Sequence, residues 1–197
     1  MHIDQLDTPV AVVDLDKLEA NIAGLQAYLD EHDIANRPHI KTHKIPEIAH
    51  MQLRAGAVGI TCQKLGEAEI MAQAGIRDIF LPYNLLGEHK LERLVRLARR
   101  VSISVTADSE AVIGGLSAAA FHANVALPVL VECDTGGKRC GVGSPPEAGD
   151  LARLIHDLPG LRFGGLMTHP CPEGVDAFMQ WIIDRLAGDG IPVKRVS

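Results

Sequence analysis

Short apolar runs alternate with amphipathic stretches through most of the 197 residues. An apolar run of about four to eight residues is typical of a buried strand, and apolar residues three and four positions apart are typical of a helix with one buried face. Repetition of the two gives βα units, which assemble around a parallel sheet. The sequence therefore predicts an α/β protein.

The predicted elements follow one another without a long linker. Seven βα-type strands are predicted at residues 37–41, 57–62, 78–82, 101–106, 125–133, 161–167 and 191–196. Helices are predicted at residues 16–31, 45–55, 66–74, 86–99, 107–119, 144–158 and 174–189. A further apolar run at 8–13 precedes the first helix, which Asp14 or Asp16 can cap. Gly114 and Gly115 weaken the prediction of the helix at 107–119.

The number of strands bears on the architecture. A (β/α)8 barrel closes with eight strands and typically has about 250 residues. Here the seventh predicted strand ends next to Ser197, and an unclosed parallel sheet leaves two edges with unpaired backbone groups. We therefore expect a TIM-type barrel that is truncated after about seven strands, or an open α/β sheet, with residues 1–197 as one incomplete barrel domain.

Composition excludes several classes of protein. The formal net charge is −6 and the pI is about 5.8, which disfavours a general nucleic-acid binder. No apolar window long enough to span a membrane and no secretory signal are found, so the cytoplasm is the expected location. The four cysteines form no C-x-x-C pair and are expected to be reduced.

The segment RPHIKTHK at residues 37–44 is the main candidate for chemistry. A basic octamer is usually a solvated surface run, but Pro38 favours an extended backbone and Ile40 interrupts the charges. On a strand, Arg37, His39 and Lys41 share one face and Ile40 faces the helices. The sequence therefore predicts Lys41 at the carboxyl end of a strand, where barrel enzymes have their reactive groups.

Lys41 is suited to covalent chemistry because an amine that is buried near other cations loses its proton more readily and can attack a carbonyl. Arg37, His39 and Lys44 are the cations expected to produce this effect. The pair His39 and His43 also has the spacing of a helical zinc site, but Pro38 disfavours a helix there.

Other strand ends carry polar residues as well, at positions 42, 62–63, 83–84, 134–139, 167–170 and 197. Turns after strands are often polar for structural reasons alone. Arg139 follows a strongly apolar strand, and its planar guanidinium can bind a carboxylate or a phenolic oxygen. His169 follows the next strand and can contact an aromatic cofactor or transfer protons.

Several motifs cover nearly all of the chain: Thr8-Pro9 followed by Val-Val-Asp14 and Asn21, RPHIKTHK, TCQKLGEAE (61–69), DIFLPYN (78–84), CDTGGKRCGV (133–142) and GLMTHP (165–170). In this order and at this familiar spacing, they resemble the D-threonine aldolase and D-serine dehydratase family. That family uses pyridoxal phosphate and is similar to the N-terminal barrel of alanine racemases.

The resemblance implies roles for four residues. Lys41 is expected to bind pyridoxal phosphate as a Schiff base, with Arg139 and His169 lining the cofactor and His39 supporting the lysine. It also implies a β-rich C-terminal domain that carries the ligands of a divalent metal (Mn, Mg or Zn), phosphate-binding loops beyond Ser197, and a homodimer in the full-length protein.

The resemblance further implies a lyase that acts on a small D-β-hydroxy amino acid. The favoured reaction is retro-aldol cleavage of D-threonine to glycine and an aldehyde. D-serine dehydration, racemisation, a non-catalytic pyridoxal-phosphate protein and a metal-only barrel lyase stay open as alternatives. The isolated chain is expected to bind the cofactor weakly and to be inactive alone.

Overall fold

Strands and helices alternate along the chain in a computed structural model that describes residues 2–197. The strands are β1 Ile60–Thr61, β2 Asp78–Leu81, β3 Ser102–Ala107, β4 Leu127–Cys133 and β5 Leu161–Thr168. The α-helices are α1 Leu15–Glu31, α2 Pro46–Ala55, α3 Leu65–Gln73, α4 Glu88–Ala98, α5 Glu110–His122, α6 Pro145–Asp157 and α7 Val175–Gly188, and a 3-10 helix covers Ile3–Gln5.

The five strands form one parallel sheet in the order β1-β2-β3-β4-β5, so each strand pairs with the next along the chain. Both edges are extended by short parallel bridges. His39 pairs with Thr61 at one edge, and Val196 pairs with Leu166 at the other. The first and seventh predicted strands are therefore present only as single bridges between residues. The predicted α/β fold, in which parallel strands follow one another around the sheet as in a barrel, is confirmed.

Apolar side chains between the sheet and the helices form the core. The outward-facing residues of β3 and β4, such as Ile103, Val105 and Val129, are 2% exposed or less. Leu94 of α4 and Ile155 of α6 are fully buried against them. Each large aliphatic side chain buried in this way contributes about 1.5–3 kcal/mol of hydrophobic free energy, so the packed helices fix the strands on which the site is built.

Helix ends follow the sequence signals in two places. Asp14 caps α1, where its Oδ1 accepts a hydrogen bond from the Lys17 N–H at 3.2 Å. Pro145 and Pro146 occupy the first turn of α6, where the missing N–H groups are not needed. None of the helices within residues 2–197 is long and apolar enough to cross a membrane.

Two predicted elements differ from the structure. The run at 8–13 forms no strand: Val10, Val12 and Val13 are more than half exposed, because no described strand pairs with them. The helix predicted at 107–119 begins at Glu110 and ends at His122. The reason is that β3 continues to Ala107, which pairs with Val131.

Candidate active site

The carboxyl ends of the strands border a cavity of about 620 Å³. Its lining combines residues from the 37–41 segment, the turns after β1 and β2, the inner face of β4 and the loops after β4 and β5. The lining residues are Arg37, His39, Lys41, Thr61, Gln63, Phe80, Pro82, Tyr83, Asn84, Leu86, Lys90, Glu132, Arg139, Cys140, Met167, Thr168, His169 and Ser197. The four predicted site residues are thus brought to one place.

Lys41 is positioned by its neighbours in the chain. Ile40 is fully buried, and its N–H donates to the Thr61 carbonyl at 2.9 Å. The Lys41 N–H donates to His39 Nδ1 at 3.2 Å, so the imidazole supports the backbone on which the amine is carried. Burial first, and then the positive charge of Lys41, lower the pKa of His39. His39 is therefore neutral at neutral pH, with its proton on Nε2.

The Lys41 side chain itself is exposed, so the prediction of a buried amine is wrong. The turn after Ile40 leaves it at the mouth of the cavity instead of in the barrel interior. The cations expected to act on it also have carboxylate partners. Arg37 pairs with Asp78 at 2.5 Å, and Lys44 pairs with Glu67 at 3.1 Å.

Glu67 connects the Lys41 turn to α3. Its Oε1 lies 3.1 Å from Lys44 Nζ, and its Oε2 accepts a hydrogen bond from the Gln63 N–H at 2.9 Å. Burial opposes the charged form of Glu67, but the Gln63 N–H and the Lys44 ammonium outweigh it and lower its pKa. One carboxylate therefore fixes two cavity-lining turns relative to each other.

The loop that carries Arg139 is held by Asp134. The carboxylate of Asp134 accepts hydrogen bonds from the N–H groups of Gly136, Lys138 and Arg139, at 3.0, 2.9 and 3.2 Å. These donors, that of Lys138 first, lower the pKa of Asp134. The loop is thus shaped by its own first residue before any ligand binds.

The same loop contacts the segment that carries His169. The hydroxyls of Thr135 and Thr168 are 3.0 Å apart. A Cβ atom at Gly137 would lie 2.8 Å from Cδ of Pro170, so glycine is required for this close approach. Arg139 and His169 are therefore placed on one rim of the cavity.

An acidic lining residue escaped the sequence-based selection. Glu132 lies on the inner face of β4, is 7% exposed and accepts a hydrogen bond from Thr106 Oγ1 at 3.2 Å. Asn84 was among the polar strand-end residues indicated by the sequence, and its Oδ1 is buried without a hydrogen-bond partner among the described residues. The signal for Glu132 was available, because it is an acid at an inward position of an otherwise apolar strand. Cys62, in contrast, lies in the core, where burial raises the pKa of its thiol to about 12.

A parallel α/β barrel domain with a lysine at the mouth of a strand-end cavity is the class that this fold and site define. The chain belongs to the family described as alanine racemase, N-terminal domain, whose pattern matches residues 13–187.

Individual relatives agree with this assignment. The chain is 45% identical over 165 residues to a D-threonine aldolase of Arthrobacter sp., covering 84% of this chain and 44% of that protein. It is 39% identical over 167 residues to a D-threo-3-hydroxyaspartate dehydratase of Delftia sp., covering 83% of this chain and 43% of that protein. The crystal structure of D-threonine aldolase from Filomicrobium marinum matches with a TM-score of 0.89 and 35% identity, over 98% of this chain and 56% of that one. The predicted resemblance is confirmed, and the chain spans about half the length of these relatives.

Proposed function

We propose that this chain is the barrel part of a pyridoxal-phosphate-dependent lyase for D-β-hydroxy amino acids, with D-threonine cleavage to glycine and acetaldehyde as its reaction. The observation that carries the proposal is Lys41, held by His39 and Ile40 at the mouth of a strand-end cavity. The names of the Arthrobacter and Filomicrobium relatives support the substrate.

The residues present fit pyridoxal phosphate. A cavity of about 620 Å³ lies in the range of small-molecule sites. Its cations Lys41, Lys90 and Arg139 suit a ligand with phosphate and carboxylate groups, and the unpartnered Asn84 Oδ1 offers an acceptor to a donor on the ligand. When bound, the cofactor supplies an electron sink for the bond that breaks.

The chain's own residues have distinct tasks in this proposal. Lys41 supplies the amine that binds the cofactor aldehyde. His39 stays neutral and fixes the Lys41 backbone through Nδ1. Arg139 binds a carboxylate or phenolic oxygen of the ligand with its planar fork. His169, exposed on the same rim, contacts the ligand and can accept a proton there.

The Lys41 assignment is tested by reductive trapping. The full-length protein is incubated with pyridoxal phosphate, reduced with borohydride and digested, and the modified peptide is identified by mass spectrometry. We expect the pyridoxyl group on Lys41, no label in Lys41→Ala, and loss of activity by about a thousandfold or more in that variant. Lys90→Ala removes another lysine of the cavity and is expected to keep the label. An unlabelled Lys41 in folded wild-type protein would overturn the proposal.

The reaction is tested with three substrates, with and without Mn²⁺. Glycine and acetaldehyde from D-threonine support the aldolase. A dehydratase is the second candidate, because the Delftia relative is named for dehydration of D-threo-3-hydroxyaspartate; it would release ammonia from that substrate, or ammonia and pyruvate from D-serine. A labelled protein that forms none of these products is a cofactor-binding protein and not a lyase.

A further inference from the structure

A second cavity, of about 560 Å³, lies at the amino ends of the strands, at the end of the sheet opposite to the candidate active site. Its charged lining, which defines it here as the lower cavity, consists of the cations Arg37, Arg162, Lys194 and Arg195 and, among residues 2–197, the one carboxylate of Asp78. The chain as a whole has a formal net charge of −6. The excess of positive charge is therefore a local property of this cavity.

Arg195 has a buried donor with nothing to bind. Its Nη2 is buried without a hydrogen-bond partner among the described residues. Its guanidinium carbon lies 4.4 Å from the centre of the Phe80 ring, a cation–π contact that uses the face of the group and none of its N–H donors. Because a guanidinium keeps its proton in proteins, the charge cannot be removed by titration. A buried cation of this kind requires an anionic acceptor.

Arg37 and Arg195 come from opposite edges of the sheet. Arg37 lies next to the bridge that extends β1, and Arg195 next to the bridge that extends β5. Burial, and then the charge of Arg37, lower the pKa of Arg195, and the charge of Asp78 acts in the opposite direction. Asp78 is already engaged, since its Oδ1 accepts a hydrogen bond from Arg37 Nη1 at 2.5 Å. Two guanidinium groups thus share one carboxylate across the open side of the sheet.

A tetrahedral anion fits this arrangement better than a carboxylate. The two oxygens of a carboxylate match one guanidinium, whereas the oxygens of a phosphate can accept from two guanidinium groups at once and carry more negative charge. The cavity offers further donors of the same kind. Ser104, which is 8% exposed, contributes a hydroxyl, and Lys194 contributes an ammonium group at the exposed side.

We propose that the lower cavity is a phosphate-binding site, in which a phosphate group bridges Arg37 and Arg195 and is also bound by Ser104 and Lys194. Barrel enzymes have their reactive groups at the carboxyl ends of the strands, so this site has no part in the proposed reaction. Its effect is on the fold, because the anion joins the two edges of the sheet. The ligand is inorganic phosphate or the phosphate group of a small metabolite.

Binding is measured by calorimetry on the full-length protein loaded with pyridoxal phosphate, so that the cofactor occupies its own site. Inorganic phosphate and glycerol phosphate are titrated separately, and the tighter of the two identifies the source of the phosphate group. We expect Arg195→Met to raise Kd about tenfold or more, because charge-assisted hydrogen bonds are lost. Lys194→Gln, an exposed change that does not disturb the core, should raise Kd several-fold.

Arg54→Met is the matched control, because Arg54 is exposed at the end of α2 and does not line the lower cavity. It should bind phosphate like wild type. Equal Kd values for wild type and both lower-cavity variants, or the absence of saturable binding to wild type, would overturn the proposal.

Thermal unfolding with and without phosphate gives a second test. Arg195→Met keeps a long side chain against Phe80 and removes a charge that has no acceptor. In phosphate-free buffer it should therefore unfold at the same temperature as wild type or higher. Added phosphate should raise the unfolding temperature of wild type by several degrees and leave that of Arg195→Met unchanged.

The opposite result has a definite meaning. If Arg195→Met unfolds several degrees below wild type in phosphate-free buffer, a carboxylate of the full-length protein itself already pairs with Arg195, and the phosphate site is refuted. Neither measurement depends on the Lys41 label or on turnover, so this inference and the proposed function fail separately.

Discussion

Two turns supply the side chains on which the proposed chemistry depends, and they are stabilised in different ways. The turn at 41–44 carries Lys41, and the loop at 134–139 carries Arg139. Each contains a non-glycine residue with a left-handed backbone, Lys44 at φ 55° and Lys138 at φ 52°, and each is bound by a carboxylate. The strained backbone is compensated by these contacts.

The difference lies in where the carboxylate comes from. Glu67, which binds the Lys41 turn, belongs to helix α3 and reaches it across the space between two βα units. Asp134, which binds the Arg139 loop, belongs to that loop and accepts only its backbone N–H groups. The Lys41 turn therefore depends on the packing of separate elements, whereas the Arg139 loop depends on local hydrogen bonds.

Of the changes that remove one of these two carboxylates, the loss of the local bonds made by Asp134 is expected to have the larger effect on activity. Asp134→Ala removes the acceptor for the N–H groups of Gly136, Lys138 and Arg139, so Arg139 loses its fixed backbone. We expect kcat/KM for D-threonine to fall about a hundredfold, with little change in the unfolding temperature because the loop is exposed. Steady-state kinetics and thermal unfolding measure the two effects.

The control for this variant is Asp14→Ala, which removes one carboxylate-to-backbone bond at the start of α1, away from the cavity. It should lower stability by about 1 kcal/mol and leave kcat/KM unchanged. If Asp134→Ala retained wild-type kinetics, the loop would be organised by its contacts with Thr168 and Pro170 instead.

Loss of the contact between Glu67 of α3 and the Lys41 turn is expected to affect the stability of the fold as well as cofactor binding. Glu67→Gln removes the charge opposite Lys44 and weakens the acceptor for the Gln63 N–H. We expect the free energy of unfolding to decrease by about 1–2 kcal/mol and the affinity for pyridoxal phosphate to fall several-fold, as measured by denaturant unfolding and absorbance titration. Glu69→Gln, on the same helix, weakens the half-buried, two-contact ion pair with Arg93, which does not line the cavity. It should cost about 1 kcal/mol and leave the affinity unchanged.

The difference in stability between wild type and Glu67→Gln is expected to depend on pH. The pKa of Glu67 is lower in the folded protein than its ordinary value of 4.5. The stabilisation by its charge is therefore present above the unfolded-state pKa and is lost as the pH falls through the folded-state pKa. The stability difference between wild type and Glu67→Gln should shrink on acidification. A difference that stayed constant to low pH would show that shape, and not charge, holds the turn.

Much of the Lys41 turn could be predicted from the sequence. Alternation along an extended segment after Pro38 placed His39 on the cavity side and Ile40 in the core, and the structure confirms these two positions. Lys41 also lines the cavity, but it is exposed at the mouth and does not lie in the predicted interior. Polar residues at strand ends also indicated most of the rim. These predictions hold because they depend on the two-residue period of a strand and on the common direction of parallel strands.

The contacts between distant residues could not be predicted in this way. The pairing of Lys44 with Glu67 depends on how α3 packs, and the hydrogen bond between Thr106 and Glu132 depends on the register of β3 and β4. The apolar run at 8–13 has the composition of a strand but no described partner, because pairing is a property of the whole sheet.

The smallest effects are expected from a matched pair of glycine substitutions, one in each of the two turns. Lys138→Gly and Lys44→Gly both replace a side chain at a left-handed position with the residue that adopts it most readily, which favours the folded state by up to about 1 kcal/mol. Lys138 forms no ion pair among the described residues, so Lys138→Gly should be neutral or slightly stabilising. Lys44→Gly also removes the cationic partner of Glu67 and leaves that partly buried carboxylate with backbone N–H donors alone, so it should be destabilising by about 1 kcal/mol. Equal unfolding free energies for the two variants would show that the contact between elements adds nothing to the Lys41 turn, and that both turns are held by their own backbone alone.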